Sequence, residues 1–143
     1  MSELRFDGRV ALVTGAGGGL GREHAILLAS RGAAVMVNDL GSPTMGGHDH
    51  DPSPAEAVVE EIQSAGGIAA ANSDSVATRE GAESMVADTL EEFGRLDIVI
   101  NNAGIIRNRT FLNINKYEFE PEIDVHVKGC IFVTRPALSH IHI

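Results

Sequence analysis

The chain alternates short apolar runs with longer stretches whose apolar residues recur at helical spacing, and glycine or asparagine marks most of the changes. Arg9 to Thr14 is apolar without polar alternation, the pattern of a strand covered on both faces of a parallel sheet. Leu20 to Ser30 sets Leu20, Ala25, Ile26, Leu28 and Ala29 at helical spacing, and Arg31-Gly32 supplies a helix ending. Ala33 to Asn38 reads as a second strand with Asp39 directly after it. Ser53 or a neighbour caps a helix that runs to about Ala65, buries Val58, Val59 and Ile62, and stops at Gly66-Gly67. Ile68 to Asn72 is a third, small-sided strand. Thr78 caps a helix to about Phe93, with Met85, Val86, Leu90 and Phe93 inward. Leu96 to Ile100 is a fourth strand, closed by Asn101-Asn102-Ala103-Gly104. From Asn115 a last helical region begins. Pro121 is expected to break it into a short turn and a longer helix carrying Ile123, Val127, Ile131, Phe132 and Leu138, with the proline in the first turn.

Strands and helices in this strict alternation predict an α/β fold of the Rossmann type, a doubly wound parallel sheet with right-handed crossovers. Residues 1–143 are long enough for one core and are expected to form one dinucleotide-binding domain.

The stretch that points to chemistry is Val10 to Gly21, where a buried-strand run meets five glycines and then a helix pattern. A helix N-terminus offers unpaired N–H groups and partial positive charge to a pyrophosphate. Glycine removes the Cβ atoms that would hold phosphates away and permits the left-handed angles of the turn. Asp39 ends the second strand about 20 residues past that turn, where a carboxylate accepts hydrogen bonds from both adenosine ribose hydroxyls and repels a 2′-phosphate. The expected cofactor is therefore NAD rather than NADP. Asp74-Ser75-Val76 falls at the carboxyl end of the third strand, where ligands of open α/β sheets sit.

Composition removes other classes. The net charge of −9, with 20 acidic against 11 basic residues and no basic stripe, argues against a nucleic-acid partner. No apolar run approaches the roughly 18 residues of a membrane span, and Met-Ser-Glu-Leu-Arg is no signal peptide, so a cytoplasmic or otherwise intracellular site with no membrane partner is expected. The lone Cys130 fits a reducing compartment and falls in an apolar helix pattern, as a buried inert thiol would. His48-Asp49-His50-Asp51 lies in the loop Gly41 to Pro54, but four adjacent polar residues rarely converge on one ion, so no metal is expected.

The motifs together resemble a known family. Thr14-Gly15-Ala16-Gly17-Gly18-Gly19-Leu20-Gly21 is similar to the T-G-x-x-x-G-x-G loop of short-chain dehydrogenases/reductases, and Asn101-Asn102-Ala103-Gly104 to their N-N-A-G motif. Leu4 to Val10, Val37 to Gly41, Asp74 to Val76, Ile105 to Arg109 and Val125 to Gly129 resemble, more narrowly, the (3R)-hydroxyacyl-CoA dehydrogenase part of peroxisomal multifunctional β-oxidation enzymes and its bacterial relatives. The resemblance implies hydride transfer between NAD and a secondary alcohol or ketone, with a small-molecule substrate such as an acyl-CoA. It implies that Gly15, Gly19, Leu20 and Gly21 contact the pyrophosphate and Asp39 the adenosine ribose. Asp74 and Ser75 meet the adenine, and Asn101, Ala103 and Gly104 line the ribose on the nicotinamide side. At the position of the family's helix asparagine stands His126, either ordering a water for proton relay or bonded within a helix interface. Arg107 and Arg109 either meet a CoA phosphate or are plain loop arginines.

The family's catalytic set is a serine and a tyrosine with a lysine four residues on, the cation lowering the phenol pKa toward neutrality. Here the only tyrosine is Tyr117, the residue four further on is Pro121, and the lysines are Lys116 and Lys128. The residues given are thus expected to be the cofactor half of a dehydrogenase, truncated after the fourth strand and following helix and without turnover by themselves. An NAD-binding module with no chemistry and an association fragment with no ligand are the open alternatives. A bare fourth-strand edge and an uncovered apolar helix face lead to the expectation of a homo-oligomer.

Overall fold

The computed structural model describes residues 4–41 and 53–141. Four strands, β1 (Val10–Thr14), β2 (Ala34–Asn38), β3 (Ile68–Asn72) and β4 (Ile98–Ile100), form one sheet in the order β3-β2-β1-β4. Every pairing is parallel, with Val13 beside Val37 and Ile100, and Asn38 beside Asn72. Helices α1 (Gly19–Ser30), α2 (Ser53–Ser64) and α3 (Arg79–Phe93) make the crossovers. The expected doubly wound Rossmann-type sheet is present.

Alternation along the strands decides which helix covers which face. Ala11, Val13, Val35 and Val37 point to α1 and α2, meeting Ala25, Leu28, Val58 and Ile62. Leu12 and Met36 point the other way, to Ala82, Met85 and Val86 of α3 and to Val133 and Ala137 of the last helix. β1 is buried at every position, so each of its larger side chains contributes about 1.5–3 kcal/mol of apolar burial.

β4 begins later than Leu96, although Leu96 itself is buried. Asp97 explains the shift. Its carboxylate Oδ2 accepts from Val10 N–H at 2.8 Å, taking a ladder position with a side chain, while its own N–H donates to the Val10 carbonyl. α1 also differs from its predicted apolar face. It buries Gly21, Ala25, Leu28 and Ala29, and Leu20 stands 73% exposed at its start.

The last region corrects the expected break at Pro121. Helix runs from Lys116 to Ala137 as α4 (Lys116–Ile123), a wider π turn (Asp124–Lys128) and α5 (Gly129–Ala137). Asn115 caps α4 by accepting from Tyr117 N–H, and Glu118 reaches back to Asn115 N–H. Pro121 is therefore past the first turn and inside α4. The helix survives because the carbonyl it would orphan, that of Tyr117, accepts from Arg107 Nη1 at 2.8 Å. Past the end of α4, Gly129 N–H reaches five residues back to Asp124 O, which is the π spacing. Cys130 is only partly buried, against expectation, because α5 turns Gly129, Val133 and Ala137 to the core instead.

Candidate functional site

The carboxyl ends of the strands surround a cavity of about 320 Å³. One wall is the turn from β1 into α1. Gly15 and Gly19 have φ of +64° and +52°, where other residues are strained. A Cβ on Gly15 would fall 2.7 Å from Ala103 Cα, whereas one on Gly18 would meet nothing within 4 Å. Gly18 is the N-cap of α1, and no side chain caps the helix there. The first N–H groups of α1 thus lack a side-chain cap beside the cavity, as an anion site requires.

Thr14 and Asn102 lock this turn to the segment after β4. Thr14 Oγ1 accepts from the N–H groups of Asn102 and Ala103, both at 3.1 Å. Asn102 Nδ2 donates to the carbonyls of Thr14 and Gly15 at 3.0 and 2.9 Å. Gly21 leaves room for that amide, since a Cβ there would lie 2.4 Å from Asn102 Nδ2 and 2.2 Å from Gly15 O.

Asp39 closes the cavity at the end of β2. Its Oδ2 accepts from Gly17 N–H and its Oδ1 from Gly41 N–H, both at 2.9 Å. Those bonds aim the carboxylate while each oxygen keeps a lone pair for a ligand hydroxyl. Asp74 and Ser75 line the adjoining wall, with Val76 beside them.

The opposite wall is apolar, made by Ile105 and by Val125 from the π turn. His126 stands behind it. Its Nε2 lies 2.7 Å from Ile105 O, and its Cε1 would be 2.7 Å from a Cβ on Gly104. The imidazole is thereby bonded within the helix-to-loop interface. Asn101 turns away from the cavity and donates to Thr134 Oγ1 at 2.9 Å. Arg109 pairs with Glu118, whose carboxyl is held below the usual carboxylate range by that guanidinium. Arg107 holds the Tyr117 carbonyl and donates its backbone N–H to Glu122.

Of the residues singled out in the sequence, Gly15, Gly19, Asp39, Asp74, Ser75, Ala103 and Gly104 come together on the cavity wall. Leu20, Gly21, Asn101 and His126 do not line it. Sequence reasoning placed Val76 at the ligand end of the third strand but gave no role to Thr14, Asn102 or Val125. The only signal for Asn102 was its place beside Asn101 in the motif, and alternation past Ile100 is what turns one inward and the other out. The His48-Asp49-His50-Asp51 run lies outside the described residues. Among the described residues no three metal-ligating side chains converge, and no helix is long and apolar enough to cross a membrane.

A glycine turn at an uncapped helix start, a carboxylate ending the second strand and a cavity between them are arranged as in proteins of the Rossmann class. The family profile described as short chain dehydrogenase matches residues 9–142, and the chain belongs to that family. It is 51% identical over 140 residues to mouse peroxisomal multifunctional enzyme type 2, covering 98% of this chain and 18% of the relative. It is 49% identical over 138 residues to the Saccharomyces cerevisiae peroxisomal hydratase-dehydrogenase-epimerase, covering 96% of this chain and 15% of that protein. A crystal structure of a short chain dehydrogenase from Mycobacterium avium superposes with a TM-score of 0.85 at 45% identity, covering 94% of this chain and 46% of that one. The chain thus spans less than half the length of each of these proteins.

Proposed function

We propose that the chain supplies the NAD-binding half of a dehydrogenase that moves hydride between NAD and a secondary alcohol or ketone of the 3-hydroxyacyl-CoA type. The observation that carries the cofactor reading is Asp39, held by Gly17 and Gly41 N–H groups at the mouth of the glycine turn. A carboxylate there accepts from two ribose hydroxyls and repels a 2′-phosphate. Gly18, Gly19 and the α1 N-terminus would take the pyrophosphate, Asp74 and Ser75 the adenine, and Ala103 and Gly104 the second ribose. When bound, the nicotinamide supplies the hydride acceptor or donor. This chain's own residues hold and orient it.

The acyl-CoA assignment rests on the resemblance to multifunctional β-oxidation enzymes, not on a pocket built by these residues. The 143 residues by themselves are read as binding without turnover, because they hold no tyrosine with a lysine four positions on. The partly exposed face made by Phe119, Val127, Ile131 and Leu138 favours association between copies. A reducing compartment is favoured by the single cysteine; the two multifunctional relatives are named peroxisomal, which directs the choice toward an organelle rather than the cytoplasm first expected.

Calorimetric titration of NAD and of NADP into the chain tests this reading. NAD binding at least tenfold tighter than NADP, lost on Asp39→Ala, is the expected result. Equal affinity for the two, or binding untouched by Asp39→Ala, would overturn the NAD assignment.

A further inference from the structure

A buried amide joins Asp74 of the cavity wall to Asp88 of α3. Asn38 and Asn72 are register partners at the ends of β2 and β3, and their residues are 2% and 8% exposed. Asn72 Oδ1 accepts from Asn38 Nδ2 at 2.8 Å and from Asp74 N–H at 3.0 Å. Asn72 Nδ2 donates to Asp74 Oδ2 at 2.9 Å and to Asp88 Oδ2 at 2.8 Å. Carboxylates only accept, so the nitrogen must face them and the orientation of this amide is determined by its partners. Two donors and two acceptors are all in use. The backbone carbonyl of Asn72 accepts from Asp39 N–H at 3.0 Å, so the same residue also anchors the ribose carboxylate's main chain.

The consequence falls on Asp74. Its Oδ2 is committed to Asn72, and no described residue donates to its Oδ1, while the side chain lines the cavity. Without the shared amide, Asp74 and Asp88 would be two carboxylates facing each other with no donor between them, and Asp74 would swing away. Asparagine is the residue type that meets this need. An aspartate would add a third negative charge, and an alanine would leave Asp74 N–H without its acceptor and Asn38 Nδ2 with only the Asp74 carbonyl, at 2.9 Å, of its two short bonds.

We infer that Asn72 is a positioning residue for adenine recognition: it aims Asp74 Oδ1 at the exocyclic amino group of a 6-aminopurine. The inference rests on the NAD reading above and adds the selection of adenine over a 6-oxopurine. The oxo group is an acceptor and would meet another acceptor.

The test titrates NAD and its deamino analogue, nicotinamide hypoxanthine dinucleotide, into the unaltered chain and into Asn72→Ala, with thermal melting as the control for folding. The unaltered chain is expected to favour NAD by about tenfold, one charge-assisted hydrogen bond. In Asn72→Ala, NAD is expected to fall to the level of the analogue, while the analogue itself changes less than about twofold. Equal losses for both dinucleotides would reduce Asn72 to a structural residue and overturn the inference. So would an unaltered chain that binds both equally, which leaves the NAD reading standing. Binding of neither dinucleotide to the unaltered chain overturns the NAD reading and this inference with it. Should Asn72→Ala fail to fold, Asp88→Ala on the exposed side of α3 frees one end of the amide. It is expected to lower the preference at least threefold, and an undiminished preference there would equally overturn the inference.

Discussion

Arg107 Nη1 donates to the Tyr117 carbonyl oxygen at 2.8 Å, the acceptor for which Pro121, four residues on, has no N–H. A side chain from the segment after β4 thus completes the backbone bonding of α4, and the proline is tolerated inside a helix because of it. The same helix leads directly into the π turn that delivers Val125 to the cavity wall and His126 to the Ile105 carbonyl behind it.

Removing that donor should therefore cost more with the proline present than without it. Arg107→Ala is expected to destabilise the chain by about 1–3 kcal/mol. In a Pro121→Ala background the new N–H takes over the Tyr117 carbonyl, and the cost of losing Arg107 should fall by half or more. Urea unfolding of the four proteins of the double-mutant cycle reads the coupling. Equal costs in both backgrounds would show that the two residues are independent.

Asp97 predicts an acid-sensitive join between β1 and β4. Its side chain is 3% exposed and accepts from Arg95 and from Val10 N–H. The Arg95 guanidinium, with the Val10 bond, holds its carboxyl below the ordinary value. A lowered folded pKa contributes stability that is present above the unfolded value, about 3.9, and lost as pH falls through the lower folded value. Asp97→Asn is expected to cost about 1.5–3 kcal/mol at pH 7. The gap between variant and unaltered chain should begin to narrow below about pH 4, as thermal melts across pH 3 to 7 would reveal.

Two glycines at the start of α1, Gly18 at its N-cap and Gly21 within its first turn, should respond very differently to alanine. An alanine at Gly21 would put its Cβ 2.2 Å from Gly15 O, against backbone that has no room to move. Gly21→Ala is expected to lower stability by about 3 kcal/mol or more, comparable to severe overpacking. Gly18 is extended and its Cβ position is open, so Gly18→Ala should cost the fold less than about 1 kcal/mol. That methyl would stand at the mouth of the helix N-terminus and weaken NAD at least tenfold in calorimetry. A Gly18→Ala chain with native melting and native NAD affinity would place the pyrophosphate elsewhere.

His126 is expected to act on the loop rather than on solvent. Its ring bonds the Ile105 backbone and packs on Gly104. His126→Ala should cost about 1 kcal/mol and speed amide exchange at Ile105 while leaving exchange in β1 unchanged. Unchanged protection at Ile105 would separate the histidine from that loop.

How far the sequence could be read follows from the range of the forces involved. Strand and helix order, the Thr78 cap with its bond from Gly81 N–H, and the glycine turn were legible because each depends on residues a few positions apart. Asp39, Asp74 and Gly15 were legible as cavity residues because strand ends of an open parallel sheet share one side by topology alone. Leu20 has the helical spacing of the α1 apolar residues and yet stands exposed, since spacing defines a stripe but not its edges. Pro121 was misread because its local rule assumes that nothing else will serve the orphaned carbonyl, and Arg107 serves it from the segment before the helix.

The amino-acid order alone determined an alternating α/β chain with a glycine turn at its first helix and an acidic residue after its second strand. The tertiary structure alone decided which asparagine faces inward, that Asn72 serves Asp74 and Asp88 at once, and that Asn102 bonds carbonyls 88 and 87 residues away. The Asn102 bonds join groups that only the placing of β4 beside β1 brings within reach, and no local propensity encodes a contact between segments so far apart in the chain; the Asn72 bonds span fewer residues but need α3 packed back against the end of β3.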